Sequence, residues 1–171
     1  MISTLLVEYA FFVPIGFLLL LIGCILLGSF LLRDGSRGQR ALTALALMSA
    51  LPVLLLTLLP SGDPVETFCA VGFAWPTLRG VETLANIALL LPAVFFLTLR
   101  FRRPIIIAVG ASTLSAFIEL VQALLPVIGR ACDTTDWQMN TIGAIVGALI
   151  GWLTYKLTPI SSRADSQAIA R

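Results

Sequence analysis

Histidine is absent from the 171-residue chain, which excludes a histidine-dependent zinc site and leaves no imidazole to serve as a general base. Charge is scarce too. Charged residues make up 12% of the chain against 58% hydrophobic, and the mean hydropathy is +1.01. A soluble domain of this size is less apolar and more charged, so the composition implies an integral membrane protein. No internal repeat is visible, and no strand precedes the glycines near the C-terminus, so they form no phosphate-binding loop. No basic segment precedes the first apolar run, which is also too long for the core of a cleaved signal; it reads as a retained anchor. No motif carries a positioned Ser or Cys nucleophile.

What is present is apolar sequence in long runs. A spanning helix needs about 20 apolar residues to cross a hydrocarbon core of about 30 Å. Such runs cover residues 9–32, 41–60, 83–99, 104–125 (interrupted only by Glu119) and 137–155. The predicted fold is all-α, an integral membrane bundle of five transmembrane helices. Arg33, Arg37, Arg40, Arg100, Arg102, Arg103, Lys156, Arg163 and Arg171 fall on one side of it, and Arg79 and Arg130 on the other. The positive-inside rule then puts the N-terminus outside and the C-terminus in the cytoplasm. The basic clusters are short and flank apolar runs, a topology signal and not a nucleic-acid surface. Residues 1–60 read as a two-helix N-terminal scaffold, with a short inner loop at 33–40 whose glycines suit a tight turn. Residues 61–81 read as an external loop, with Phe68, Phe73 and Trp75 suited to the membrane interface. Residues 82–157 form a three-helix core, and 158–171 a polar, disordered cytoplasmic tail.

The polar residues gather in that core. In the fourth span Ser115, Glu119 and Gln122 are spaced i, i+4, i+7 and share one face within about 60°. In the third, Glu82 and Asn86 are spaced i, i+4. The fifth carries Asp136, Asn140, Gly143, Gly147 and Gly151 in one stripe, whose overlapping G-x-x-x-G spacings let a neighbouring helix pack closely. Counted from the basic end at about 1.5 Å per residue, Asn86, Glu119 and Asn140 all lie about 21–24 Å up. Polar groups at that depth are costly unless paired or facing a wet cavity, so the expected arrangement is convergence on one cavity open to the outer face. Arg130, Asp133 and Asp136, in the short loop before residue 137, would form its lid. The alternative is that Glu119 pairs with Arg130 and the amides knit the bundle together. Against it, four carboxylates (Glu82, Glu119, Asp133, Asp136) are set against two bases, an excess that helix packing does not require.

Three segments carry a likeness to a known family: "NIALLLP" with Asn86 and Pro92, "SAFIELVQ" with Ser115, Glu119 and Gln122, and "RACDTTDWQMNTIGAIVG" with Arg130, Asp133, Asp136, Asn140, Gly143 and Gly147. Together they resemble the VanZ family over roughly residues 82–152. The chain departs from the family pattern at Leu90 or Leu91, where an aromatic is usual, at Val94 in place of a glycine, and at Cys132 in place of an apolar residue. These departures touch packing more than the polar set. The resemblance implies a bacterial cell-membrane protein, in a family whose founding member is associated with resistance to the glycopeptide teicoplanin. It supplies no biochemical activity.

Three functions fit these residues. In the first, Glu82, Asn86, Ser115, Glu119, Gln122, Arg130, Asp133, Asp136 and Asn140 line an outer-leaflet pocket that binds a cell-envelope lipid or a glycopeptide, with Arg130 suited to a phosphate or carboxylate. In the second, Glu119, Asp133 and Asp136 are catalytic on a lipid-linked envelope substrate, Glu119 acting as general acid or base. The third is proton-coupled transport through Glu119, for which inverted repeats and broken helices are lacking. The lipid bilayer is the expected partner, and neither cofactor nor metal is assigned. Cys24 reads as a small apolar filler. Cys69 and Cys132 both fall in outer loops and are either bridged, tying the long loop over the polar site, or left as free thiols.

Overall fold

The computed structural model describes residues 10–60, 69–77, 80–125, 127, 129 and 131–159. Arg79, Arg130, Phe68 and the tail from residue 160 therefore lie outside the described residues. After a single 3₁₀ turn at Ala10–Phe12 come five helices: α1 (Val13–Leu32), α2 (Gly35–Leu58), α3 (Val81–Phe101), α4 (Pro104–Leu124) and α5 (Thr134–Leu157). No strand occurs among the described residues; one isolated parallel bridge joins Ala70 to Asp133.

Four of the helices, α1 to α4, are long and apolar enough to cross a membrane. α5, with 24 residues, is as long as α2 but is not among them. Its first two turns are polar and its packing face is built of glycine, both of which lower its hydropathy. α1 shows why the others qualify. It buries only Cys24, Gly28, Leu31 and Leu32 and turns Leu18, Leu19, Leu26 and Phe30 outward. A helix apolar on every side suits lipid, which leaves the bilayer as the partner consistent with these faces.

The loop expected at 33–40 is shorter than its composition suggested, because α2 already begins at Gly35. Only Arg33 and Asp34 connect α1 to α2. Gly35 takes φ +56°, a left-handed conformation open to glycine, and a Cβ on Gly38 would collide with the carbonyl oxygen of Leu31. Arg37 and Arg40 thus ride on the first turns of α2.

α3 lies at the centre, with Leu91, Phe95 and Leu99 fully buried. It packs most intimately on α5, where Gly143 faces the carbonyl of Ile87, Gly147 that of Leu91 and Gly151 that of Phe95. The partner advances four residues for every four on α5, so the two helices run parallel. A Cβ at Gly147 would stand 2.6 Å from the Leu91 oxygen, so backbone contact this close requires the missing side chain. α4, which connects them in the chain, returns antiparallel and packs on α5. Its Ser112 hydroxyl bonds that of Thr141 at 2.8 Å, and the indole of Trp137 donates to the Ser112 carbonyl at 3.2 Å.

The bundle is polarised by charge. At one end Arg100 donates to Thr43 at 3.2 Å and the Arg102 guanidinium lies 4.6 Å over the Tyr155 ring, near Arg103 and Lys156. At the opposite end stand Glu82, Asp133 and Asp136, in the first turn or cap of α3 and α5.

Candidate functional site

At the acidic end the chain meets α5 in a cap assembled from two helices. Asp133 is the N-cap, its carboxylate accepting from Thr135 N at 2.7 Å. In the usual capping box the side chain three residues on would reach back to the cap's own N–H. That residue is Asp136, but its carboxylate is drawn to α3, where it accepts from the Asn86 amide. The Asp133 N–H is taken instead by Glu119 of α4, at 2.9 Å. Glu119 is 8% exposed, and both aspartates lie within electrostatic reach of it. The N-terminus of α5 favours negative charge nearby, which helps three carboxylates coexist. Among the described residues no basic side chain pairs with any of them.

One turn deeper, Asn140 Nδ2 donates to Ser115 Oγ at 3.0 Å, both residues buried. The Asn140 Oδ1 atom is buried without a hydrogen-bond partner among the described residues. Asn86, Ser115, Glu119, Asp133, Asp136 and Asn140 are thus brought together. Two of the expected site residues diverge. Gln122 turns to α2 and donates to the Thr57 carbonyl at 3.0 Å, while Glu82 is exposed one turn before Asn86, within electrostatic reach of Asp136. Arg130 lies outside the described residues. Asp133 and Asp136, expected in a loop lid, instead belong to the cap and first turn of α5, because helix formation begins at Thr134.

An extended strap at residues 69–74 runs along the start of α5. Cys69 and Cys132 form a disulfide with their α-carbons 4.6 Å apart. Beside it Ala70 N donates to Cys132 O at 2.9 Å and Thr134 N to Ala70 O at 3.1 Å. The Thr134 hydroxyl bonds Gly72, and Gln138 grips Ala74 from both sides, its oxygen accepting from Ala74 N at 3.2 Å and its nitrogen donating to Ala74 O at 2.7 Å. Phe73 within the strap and Trp75 just after it stand 77% and 82% exposed. Sequence reasoning missed Thr134, Gln138 and Thr141, although they sit at i, i+4, i+7 and so form a second polar stripe on α5. It also missed Ser112, one turn before Ser115, and the backbone of Thr57, for which no side-chain signal exists.

Two apolar cavities lie within the bundle, one of about 770 Å³ between α1, α2 and α3 and one of about 310 Å³ between α2, α3 and α4; neither is lined by the six clustered polar residues. The polar end is therefore a packed, hydrogen-bonded cluster in this structure. Nor do its carboxylates close round a point: among the described residues no three metal-type acidic or thiol side chains could hold an ion.

A family model described as VanZ/LLP1 matches residues 46–155. Comparisons with curated proteins and with solved structures return no match. The matched stretch is well over half of the 171 residues and runs from α2 through α5, taking in every member of the polar cluster and also Thr57. On that match, joined to its apolar helices and their shared polar end, the chain belongs to the VanZ-like family.

Proposed function

We propose that this VanZ-like protein resides in the cell membrane as five spans, N-terminus outside, with its acidic end in the outer leaflet. There α3, α4 and α5 hold a cell-envelope or antibiotic ligand and so affect susceptibility to glycopeptides of the teicoplanin type. The observation that carries this reading is the buried Glu119, which has a backbone N–H for a partner and no described counter-charge, inside a largely apolar bundle. Keeping such a group among lipid-soluble helices is costly, and polar residues retained at that cost mark functional sites. Binding is favoured over hydrolysis because Glu119 and Asp133 are both engaged in holding the cap of α5, and a group tied to a backbone amide is poorly free to shuttle protons.

The test is teicoplanin susceptibility of cells lacking the protein, complemented with the wild type or with Glu119→Gln. Wild type is expected to shift the inhibitory concentration and the variant to leave it at the level of the deletion, with equal amounts of protein in the membrane. Equal susceptibility in all three strains sinks the proposal.

A further inference from the structure

Asn140 offers a hydrogen-bond acceptor that nothing among the described residues uses. It is 6% exposed and its nitrogen is committed to Ser115, yet Oδ1 is buried with no donor. Leaving it so is costly, and such orphans mark places where a ligand or ion completes the structure. One turn above it on α5 is Asp136, and one turn above Ser115 on α4 is Glu119. Each places a carboxylate one helical turn from the orphan, with one oxygen hydrogen-bonded within the protein. The orphan atom and the two carboxylates beside it are acceptors. A phosphate or carboxylate would meet like charge, whereas a cation rich in N–H groups would meet partners. A small metal ion needs several oxygens about one point, and these carboxylates are not so arranged. An organic cation reaches acceptors that are further apart.

Below the cluster lies somewhere for a chain to go. The 310 Å³ crevice ends toward the polar groups at Leu90 on α3, Leu54 on α2 and Leu114 on α4, the last directly preceding Ser115. All three helices thus put the apolar space on the same side of the cluster, as for an amphiphile with its head at the acidic end. We infer that this end takes the primary ammonium group of an envelope lipid, with Asn140 Oδ1 and the Glu119 carboxylate accepting its N–H donors. The inference rests on the envelope-ligand reading above and specifies that ligand's chemistry.

The experiment uses the purified full chain in a non-ionic detergent, with lipid retention measured by native mass spectrometry. Phosphatidylethanolamine is expected to be retained about tenfold more than phosphatidylcholine, which has the same phosphodiester but no N–H, or than phosphatidylglycerol. Asn140→Leu and Glu119→Gln should each abolish that preference. Should Asn140→Leu fail to fold, competition on the wild type still decides: dodecylammonium should displace the lipid, while dodecyltrimethylammonium should not. Equal retention of phosphatidylcholine overturns the inference. So does displacement by sodium or calcium chloride at fixed ionic strength, which would mean a metal site, or by free ethanolamine as readily as by dodecylammonium, which would remove the lipid as the source. A protein that discriminates these lipids but leaves glycopeptide susceptibility unchanged keeps this inference and loses the functional proposal. The reverse result loses only the inference.

Discussion

Glu119 and Asp133 each do two things, and substitutions can separate them. Asp133 carries charge and caps α5. Asp133→Asn keeps an oxygen for Thr135 N and should leave thermal stability nearly unchanged, whereas Asp133→Ala should cost about 1 kcal/mol in the same detergent melt. Glu119→Gln likewise keeps an acceptor for the Asp133 N–H, while Glu119→Leu strands that donor in a buried setting and should cost about 1–3 kcal/mol. If Glu119→Leu proves as stable as Glu119→Gln, the cap shared between α4 and α5 contributes nothing. The polar positions were legible here because helical spacing put Ser115 beside Glu119 and Asp136 beside Asn140. Their partners were not, since a partner depends on the rotation of a second helix.

At the level of elements, α5 is specified by what it omits. Its glycine stripe lets α3 approach to backbone contact, a meeting the G-x-x-x-G spacing announced, although the spacing did not name α3 as the helix that uses it. Gly143→Ala drives a methyl group into the Ile87 carbonyl and is expected to destabilise the bundle by about 1–3 kcal/mol. Gly110→Ala on α4, where a Cβ meets nothing within 4 Å, is the matched control and should be neutral or slightly stabilising. Equal melting shifts for the two would mean that the α3–α5 contact is looser than described. The strap at 69–74 follows the opposite logic. It is short of apolar anchors and is held by hydrogen bonds and one disulfide, so unreduced, denatured protein should label at one cysteine, Cys24, and reduced protein at three. Cys132→Ser should lower stability by about 2–4 kcal/mol. Three reactive thiols before reduction would refute the bridge.

Among the described residues, the basic side chains collect at one end of the bundle, with Asp34 among them, and Glu82, Glu119, Asp133 and Asp136 lie toward the other. This separation underlies the proposed orientation with the C-terminus in the cytoplasm. A fluorescent reporter fused at the C-terminus should therefore fluoresce, and a phosphatase fused there should be inactive; the opposite pattern inverts the topology and moves the acidic site to the inner leaflet. Four helices qualify as spans by length and apolarity, and α5 reaches similar length with a poorer composition. α5 can be less apolar because much of its surface is covered by protein: Met139, Asn140, Gly143, Ala144, Gly147, Ala148 and Gly151 are all buried.

By itself the sequence determined that the chain is helical and lipid-compatible, where its polar stripes lie, and that one helix would accept close backbone packing. Those properties are local, written in composition and in the 3.6-residue period. Tertiary structure alone decided that Asn86 meets Asp136 and not Asn140, which had been counted to its own depth, because α3 and α5 are set in register by the glycine contacts and not by distance from the basic end. It also decided that Gln122 leaves the cluster for the Thr57 backbone, that Glu119 completes a cap begun on another helix, and that Cys69 lies against Cys132. Each of these is a contact between segments far apart in the chain. Such pairings follow from how whole helices rotate and slide against one another as their side chains pack, and no spacing within a single segment encodes that.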